Sequence, residues 1–436
     1  MRYGGFDVHK QRIEVVLLDA AGTILLRTAV AATRAALEQF AQTTLGPDCV
    51  IALEATTNTW GIVRVLRPYV AEVVVSNPLK TRAIAEAKVK TDRVDALVLA
   101  QLLRVDYLPR VWIPDAATEQ QRRVTSCRAS LVADCTRLKN RIHAILHQRL
   151  IPLPPGLRLF SARGYAWLEA IAASGLDAEG QRELASDLRL LAASERELQE
   201  LSLIIARAGA ADARVKLLLT LPGVDLAVAQ ALVATLGDIQ RFRSGDHAAS
   251  YLGIVPSTRQ SAEHCYHGSI TKQGKGHTRW LMVQAAQHLD HHPGPLGVFF
   301  RRLARKKNRN VAVVATARKL VVIAWHMLRN NEPYRYALPR STQTKLARLR
   351  VRATGTRRQG GNPKGSRRAT NYGSGVRMRT IPRLAAVYAS EQLPALPART
   401  AGEDRMIRSA GLTRFVAELS TDQVIPRTQP RDPEVT

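Results

Sequence analysis

The 436-residue chain is short of cysteine, of acidic charge and of long apolar runs. Its four cysteines, Cys49, Cys127, Cys135 and Cys265, lack the C-x-x-C spacing of zinc and redox sites. Cys127 and Cys135 lie eight apart in a helical stretch, which does not suggest a disulfide. This usage points to a reducing, cytoplasmic setting and away from a disulfide-stapled secreted domain. The longest apolar candidate, Val311 to Leu328, is interrupted by Arg318, Lys319 and His326, so no membrane span is expected. No secretory signal is read at the start, where Arg2-Tyr3-Gly4 leads into a strand-like run. Asp and Glu number 36 against 64 Lys and Arg, a formal net charge of +28. A surplus of that size favours a polyanionic partner, of which nucleic acid is the commonest. A solvated basic surface is the plain alternative. Membrane-surface binding fits less well, because the charge is not confined to one amphipathic helix.

Hydrophobic residues make up 46% of the chain, enough for real cores, and the length suggests two or three domains. Residues 1–108 alternate strand and helix signals. Gly4–His9, Ile13–Asp19 and Thr23–Val30 form a candidate antiparallel meander. A helix is read over Thr33–Ala41, then strands over Cys49–Leu53 and Val70–Val75 around a helix at Asn58–Leu66. A last helix is read over Thr91–Arg104. This order predicts an α/β layer fold with a mixed sheet, suited to ribonuclease-H-like architecture. Residues 109–211 read as a helical linker with long helices over 116–150 and 179–208, able to pair as an antiparallel or intermolecular coiled coil. Residues 212–336 read as a mostly helical unit with a polar loop from Val255 to Gly276. From Arg340 to Thr380 there are twelve Lys or Arg and no acid, so residues 337–436 read as a disordered basic tail.

Four carboxylates in the first region carry candidate chemistry. Asp7 sits among apolar residues in a central strand, where a carboxylate is costly unless paired or metal-bound. Glu54 ends the run Cys49–Leu53. Asp92 and Asp95, spaced i, i+3, share one helix face and repel, which a divalent cation would relieve. Each has an ordinary alternative: a capped strand end for Asp7, a surface residue for Glu54, and a helix N-terminus stabiliser with a solvated neighbour for Asp92 and Asp95. As a set they offer hard oxygen ligands of the kind Mg²⁺ takes, and paired ions of that kind serve phosphodiester chemistry.

The pieces Gly5-Phe6-Asp7-Val8-His9-Lys10, Leu53-Glu54-Ala55-Thr56 and Lys90-Thr91-Asp92-Arg93-Val94-Asp95-Ala96 resemble the Holliday-junction-resolvase-like domain of DEDD-type insertion-sequence transposases. The resemblance implies that Asp7, Glu54, Asp92 and Asp95 bind Mg²⁺, with Mn²⁺ as a substitute. His9 stands where that family often has Ser. Residues 216–330 resemble the C-terminal transposase domain of the same family, through Ala249-Ser250-Tyr251-Leu252-Gly253-Ile254-Val255-Pro256, Arg259-Gln260-Ser261 and Gly268-Ser269-Ile270-Thr271-Lys272-Gln273-Gly274. It implies that Ser261 is a DNA nucleophile. Ala262 replaces the Gly that commonly follows, Ser257 is the nearby competitor and Ser269 a weaker one. Leu221-Pro222-Gly223-Val224-Asp225 resembles a helix-hairpin-helix turn, although Asp225 replaces a usual Gly and would repel phosphate; a plain helix connector is an equal reading.

Lys272, Lys275 and Arg279, and the basic run with Arg301, Arg302, Lys306 and Lys307, are candidate phosphate contacts; solvated loops and helix ends are the default alternative. Few aromatics interleave with that run, so base stacking is not indicated there. The histidines near Cys265 and at 288–292 match no zinc pattern. The resemblance further implies a bacterial, nucleoid-associated DNA transposase with a phosphoserine intermediate, donor and target DNA as substrates, a noncoding bridge RNA as guide, and dimers assembling into tetramers on DNA. Two rivals remain: a metal-dependent junction-resolving endonuclease that uses water, and a catalytically inactive nucleic-acid-binding protein.

Overall fold

The computed structural model describes residues 1–84, 92–261, 264–356 and 378–426. The chain divides into two units, Met1–Asp115 and Ala116–Thr436.

In the first unit, apolar β-branched runs form β1 (Arg2–Val8), β2 (Arg12–Leu18) and β3 (Ile24–Ala31), an antiparallel meander. Helix α1 (Arg34–Thr44) starts where the Thr33 hydroxyl accepts from the Ala36 N–H. Strand β4 (Cys49–Glu54) then lies parallel to β1. Helix α2 (Thr59–Leu66) leads to β5 (Glu72–Ser76), parallel to β4. Helices α3 (Pro78–Ile84) and α4 (Asp92–Arg104) complete the unit. The sheet order β3-β2-β1-β4-β5 is the mixed arrangement that the element order predicts.

The pleat sorts the sheet's side chains onto two faces. Phe6, Val15, Leu17, Ile51 and Leu53 pack with Leu37, Ile62 and Leu66 of α1 and α2. Val50, Ala52 and Val74 pack against Leu99 and Leu103 of α4, and Val16 and Leu18 against Ala96 and Ala100. Gly5 permits this second contact. A Cβ there would lie 1.9 Å from the Ala96 carbonyl oxygen and 2.6 Å from the Ala100 nitrogen, so the α4 backbone rests directly on β1.

In the second unit, α5 (Ala116–Gln148) and α7 (Ala178–Ala211) match the two long helices read from the sequence, and α6 (Ala162–Ser174) lies between them. Leu138, Ile142 and Ile145 recur at helical spacing and bury against Leu184 and Leu191. Ion pairs Lys139–Glu195, Arg141–Asp187 and Arg149–Asp177 run in reverse order along the two helices, so α5 and α7 pair antiparallel within one chain. A larger core follows, built from α8 (Ala213–Leu219), α9 (Leu226–Leu236), α10 (Gly245–Tyr251), α11 (Gly276–Gln287), α12 (Pro295–Lys306) and α13 (Arg309–Asn330). Helix α13 is long and apolar enough to cross a membrane by length and composition, and half of its apolar window is buried within this core.

Two expectations need correction. The stretch read as a polar loop holds an antiparallel hairpin of β6 (Pro256–Ser261) and β7 (His264–Ile270). Ser257 to Gln260 are all exposed, so no burial periodicity marked the strand. Much of the stretch read as a disordered tail is folded. Helix α14 (Pro339–Thr354) buries Leu346 and Leu349 in the larger core, and α15 (Leu384–Ser390) adds Leu384 and Tyr388. Helices α16 (Ala401–Ser409) and α17 (Thr413–Leu419) follow, and β8 (Met378–Ile381) pairs with β9 (Gln423–Pro426). The apolar spacing inside α14 was masked by its density of charge. The remainder of that tail, 357–377 and 427–436, lies outside the described residues.

Candidate active site

Register and helix direction decide whether the carboxylates can meet. Asp7 follows Phe6, which pairs with Leu53, so Asp7 and Glu54 leave adjacent parallel strands at the same end. Both share the pleat parity of Gly5 and Ala52, and therefore the face that α4 covers. At the opposite end of β1, the Arg104 guanidinium reaches the Ala20 carbonyl at 3.4 Å. Helix α4 thus runs antiparallel to β1, and its N-terminal end, which carries Asp92 and Asp95, lies at the sheet end of Asp7 and Glu54.

Asp7, Glu54 and Asp95 are each half-buried. Asp7 Oδ2 lies 2.9 Å from His9 Nε2, so the His at this position gives the carboxylate a polar partner. The side chain of Asp92, with Lys90 and Thr91 of the same motif, lies outside the described residues. Among the described residues, no group of three His, Cys, Asp or Glu closes into a metal cluster. In donor type and position Asp7, Glu54 and Asp95 suit a divalent cation: they are hard carboxylates at one end of the sheet face that α4 covers.

Sequence reasoning passed over Glu14. It pairs directly with Asp7 across β1 and β2, shares that face, and is only 4% exposed. Arg12 forms its ion pair. The signal was present as a charge inside the apolar strand Ile13-Glu14-Val15-Val16.

In the second unit, Ser261 is the last residue of β6 and pairs with His264. Its side chain and residues 262–263 lie outside the described residues, which includes the Ala262 substitution. The Ser257 hydroxyl donates to the Ser269 carbonyl at 3.0 Å and so holds the hairpin together. At the base of the hairpin, Gly253 (φ +64) and Gly274 (φ +82) each lie against backbone that a Cβ would strike.

The expected phosphate contacts divide into two groups. Lys272, Lys275, Arg302, Lys306 and Lys307 are exposed. Arg279 instead donates to the Leu252 and Gln273 carbonyls at 3.0 and 3.2 Å, tying α11 to the loop. Arg301 donates to the Asp290 and His292 carbonyls at 2.7 and 3.0 Å. These two act first as structural clamps.

The connector between α8 and α9 is inwardly engaged. The Asp225 carboxylate accepts from the Val228 N–H at 2.9 Å and caps α9. Gly223, at φ +76, lies against the Ala285 carbonyl, and Lys345 Nζ donates to the Leu221 and Val224 carbonyls at 2.5 and 2.9 Å. Burial pushes the Lys345 ammonium down to about 7, and the nearby Asp225 charge acts in the opposite direction.

Comparison with known proteins supplies the family. A DEDD-type IS110 transposase domain matches residues 4–151, and a domain of the transposase IS116/IS110/IS902 family matches residues 215–297. The putative transposase y4qE of Sinorhizobium fredii is 30% identical over 53% of this chain and 56% of its own length. The transposase for insertion sequence element IS1328 of Yersinia enterocolitica is 25% identical over 74% of this chain and 95% of its own. A probable family 20 transposase of Pseudomonas aeruginosa is 27% identical over 76% and 98%. The chain thus spans about half of the first relative and nearly all of the other two. With both domains present, and in the same order along the chain as its long motifs, this protein belongs to the IS116/IS110/IS902 family of insertion-sequence transposases.

Proposed function

We propose that this transposase cleaves and rejoins DNA through a covalent phosphoserine intermediate, with Ser261 as nucleophile and Asp7, Glu54, Asp92 and Asp95 as the ligands of Mg²⁺. The observation that carries the reading is the placement of the acidic positions. Two adjacent parallel strands end in Asp7 and Glu54, and α4 runs in the direction that brings Asp92 and Asp95 to that same end. Ribonuclease-H-like chemistry needs carboxylates arranged in this way.

A bound divalent cation supplies charge stabilisation at the phosphoryl oxygens and lowers the barrier for the attacking oxygen. The chain's residues do the rest. The Ser261 Oγ forms a bond to phosphorus, and the bond from phosphorus to one neighbouring sugar oxygen breaks. The hydroxyl proton passes to the departing sugar oxygen. One phosphate ester replaces another, so rejoining requires no external energy source. Exposed Lys272 and Lys275, past the base of the hairpin whose turn carries Ser261, can neutralise DNA phosphates at that end of the hairpin. Ser257 is a poorer nucleophile, since its hydroxyl is committed to Ser269.

On this reading a noncoding bridge RNA pairs with donor and target DNA, and dimers assemble into tetramers before cutting. The basic surplus of +28 suits both polyanions. Incubating the protein with RNA, DNA and Mg²⁺, then denaturing it, should yield a protein–DNA adduct that is lost in Ser261→Ala and kept in Ser257→Ala. Cleavage without an adduct would select the water-using endonuclease. No cleavage in the wild type, with binding intact, would select the inactive binding protein.

A further inference from the structure

A groove of about 1060 Å³ opens in the second unit between α5, α7, the start of α9 and α14. Its charges can be counted individually. Arg350 is committed to Glu391, at 2.9 Å. Lys345 is committed to the two connector carbonyls, and Asp225 to the cap of α9. What remains is Arg128 from α5 with Arg348 and Arg352 from α14. Among the described residues, none of these three guanidinium groups has a side-chain hydrogen bond or an ion pair. Burial pushes the Arg128 guanidinium below its usual range; Asp225 opposes that shift, and the charge of Arg352 adds to it. The five cations lining the groove outnumber its two carboxylates, Asp225 and Glu391, and an anion that joins them would offset the excess.

We propose that this groove binds the phosphodiester backbone of a nucleic acid through Arg128, Arg348 and Arg352. Lys345 is a positioning residue, fixing α14 to the α8–α9 connector. The connector itself is closed to phosphate, because Asp225 occupies the N-terminus of α9. Helix α14 lies beyond residue 297, where the matched transposase domain ends. Arg348 and Arg352 therefore lie beyond that domain, whereas Arg128 lies within the residues that the DEDD-type domain matches.

The test is the salt dependence of binding by the full chain, measured in EDTA so that no cleavage is needed. The probes are a DNA duplex and a single-stranded RNA. Replacing all three arginines with Gln should lower the log–log slope by about 2.7 if duplex DNA occupies the groove, or by about 2.1 if RNA does. The probe whose slope falls identifies the source of the phosphates. The triple Lys variant should retain the slope. If the triple Gln variant does not fold, the pair Arg348→Gln and Arg352→Gln, both exposed, should lower it by about two-thirds as much. Arg158→Gln with Arg163→Gln, two exposed arginines elsewhere on the unit, controls for bulk charge. Unchanged slopes on both probes, or an equal fall in the control, would overturn the proposal. Either result leaves the assignment of Ser261 and the carboxylates standing.

Discussion

Gly5→Ala tests the active-site geometry without touching a carboxylate. The new Cβ would sit 1.9 Å from the Ala96 carbonyl oxygen, whereas ordinary carbon–oxygen contacts begin at about 3.3 Å. Helix α4 must therefore withdraw from β1 by about 1.4 Å, measured against that contact distance. Overpacking of this kind costs about 1–3 kcal/mol, which shifts the urea midpoint without preventing folding. The catalytic effect should be larger, because α4 carries Asp92 and Asp95 away from Asp7 and Glu54. A misplacement of about 1 Å can cost about 10²-fold in rate. The assay is Mg²⁺-dependent cleavage of DNA bearing the element's ends, with nucleic-acid binding measured alongside. Gly61→Ala is the matched control: nothing lies within 4 Å of its Cβ, and in helix α2 it should stabilise by about 0.5–1 kcal/mol. Wild-type cleavage and unchanged Mg²⁺ dependence in Gly5→Ala would refute the claim that α4 seated on β1 sets the quartet.

Other perturbations act on the second unit. Arg141→Ala should cost about 3–5 kcal/mol, because Asp187 is 1% exposed and would be left as a buried lone carboxylate; Asp187→Asn should cost less, since Arg141 remains accessible to water. Burial, aided by the charges of Arg301 and Lys345, pushes His292 down to about 4. Its neutral form therefore stabilises the fold fully above pH about 6.5, and that stability declines as pH falls toward about 4, by roughly 3 kcal/mol. His292→Phe should flatten that part of the urea-midpoint profile. Asp225→Asn should keep the α9 cap and tighten nucleic-acid binding by removing a groove carboxylate, whereas Asp225→Ala should cost about 1 kcal/mol in stability; equal stability in the two variants would argue against the cap.

The first unit was the more legible in sequence. Its strands are buried and β-branched, so the runs Cys49–Leu53 and Val70–Val75 stood out by composition, within a residue or two of the observed β4 and β5, and Thr33 marked the start of α1. Glu14 was marked in sequence only as a charge inside an apolar strand; its register with Asp7 depends on strand pairing. The hairpin whose first strand ends in Ser261 escaped for a different reason: it is held by ladder bonds on an exposed surface, and exposed strands show no burial rhythm. In α14, Leu346 and Leu349 carry the packing while the surrounding arginines dominate composition. The long α5–α7 pair was readable as helices, but its antiparallel, intrachain pairing depends on ion pairs such as Arg141–Asp187 that span 46 residues.

The most direct test of the central claim is peptide mapping of the denatured protein–DNA adduct by mass spectrometry. The account predicts a nucleotide phosphate on the peptide containing Ser261, formed with Mg²⁺ and absent when Asp92 is replaced by Asn. Cleaved DNA with no adduct, or an adduct on a different residue, would contradict it.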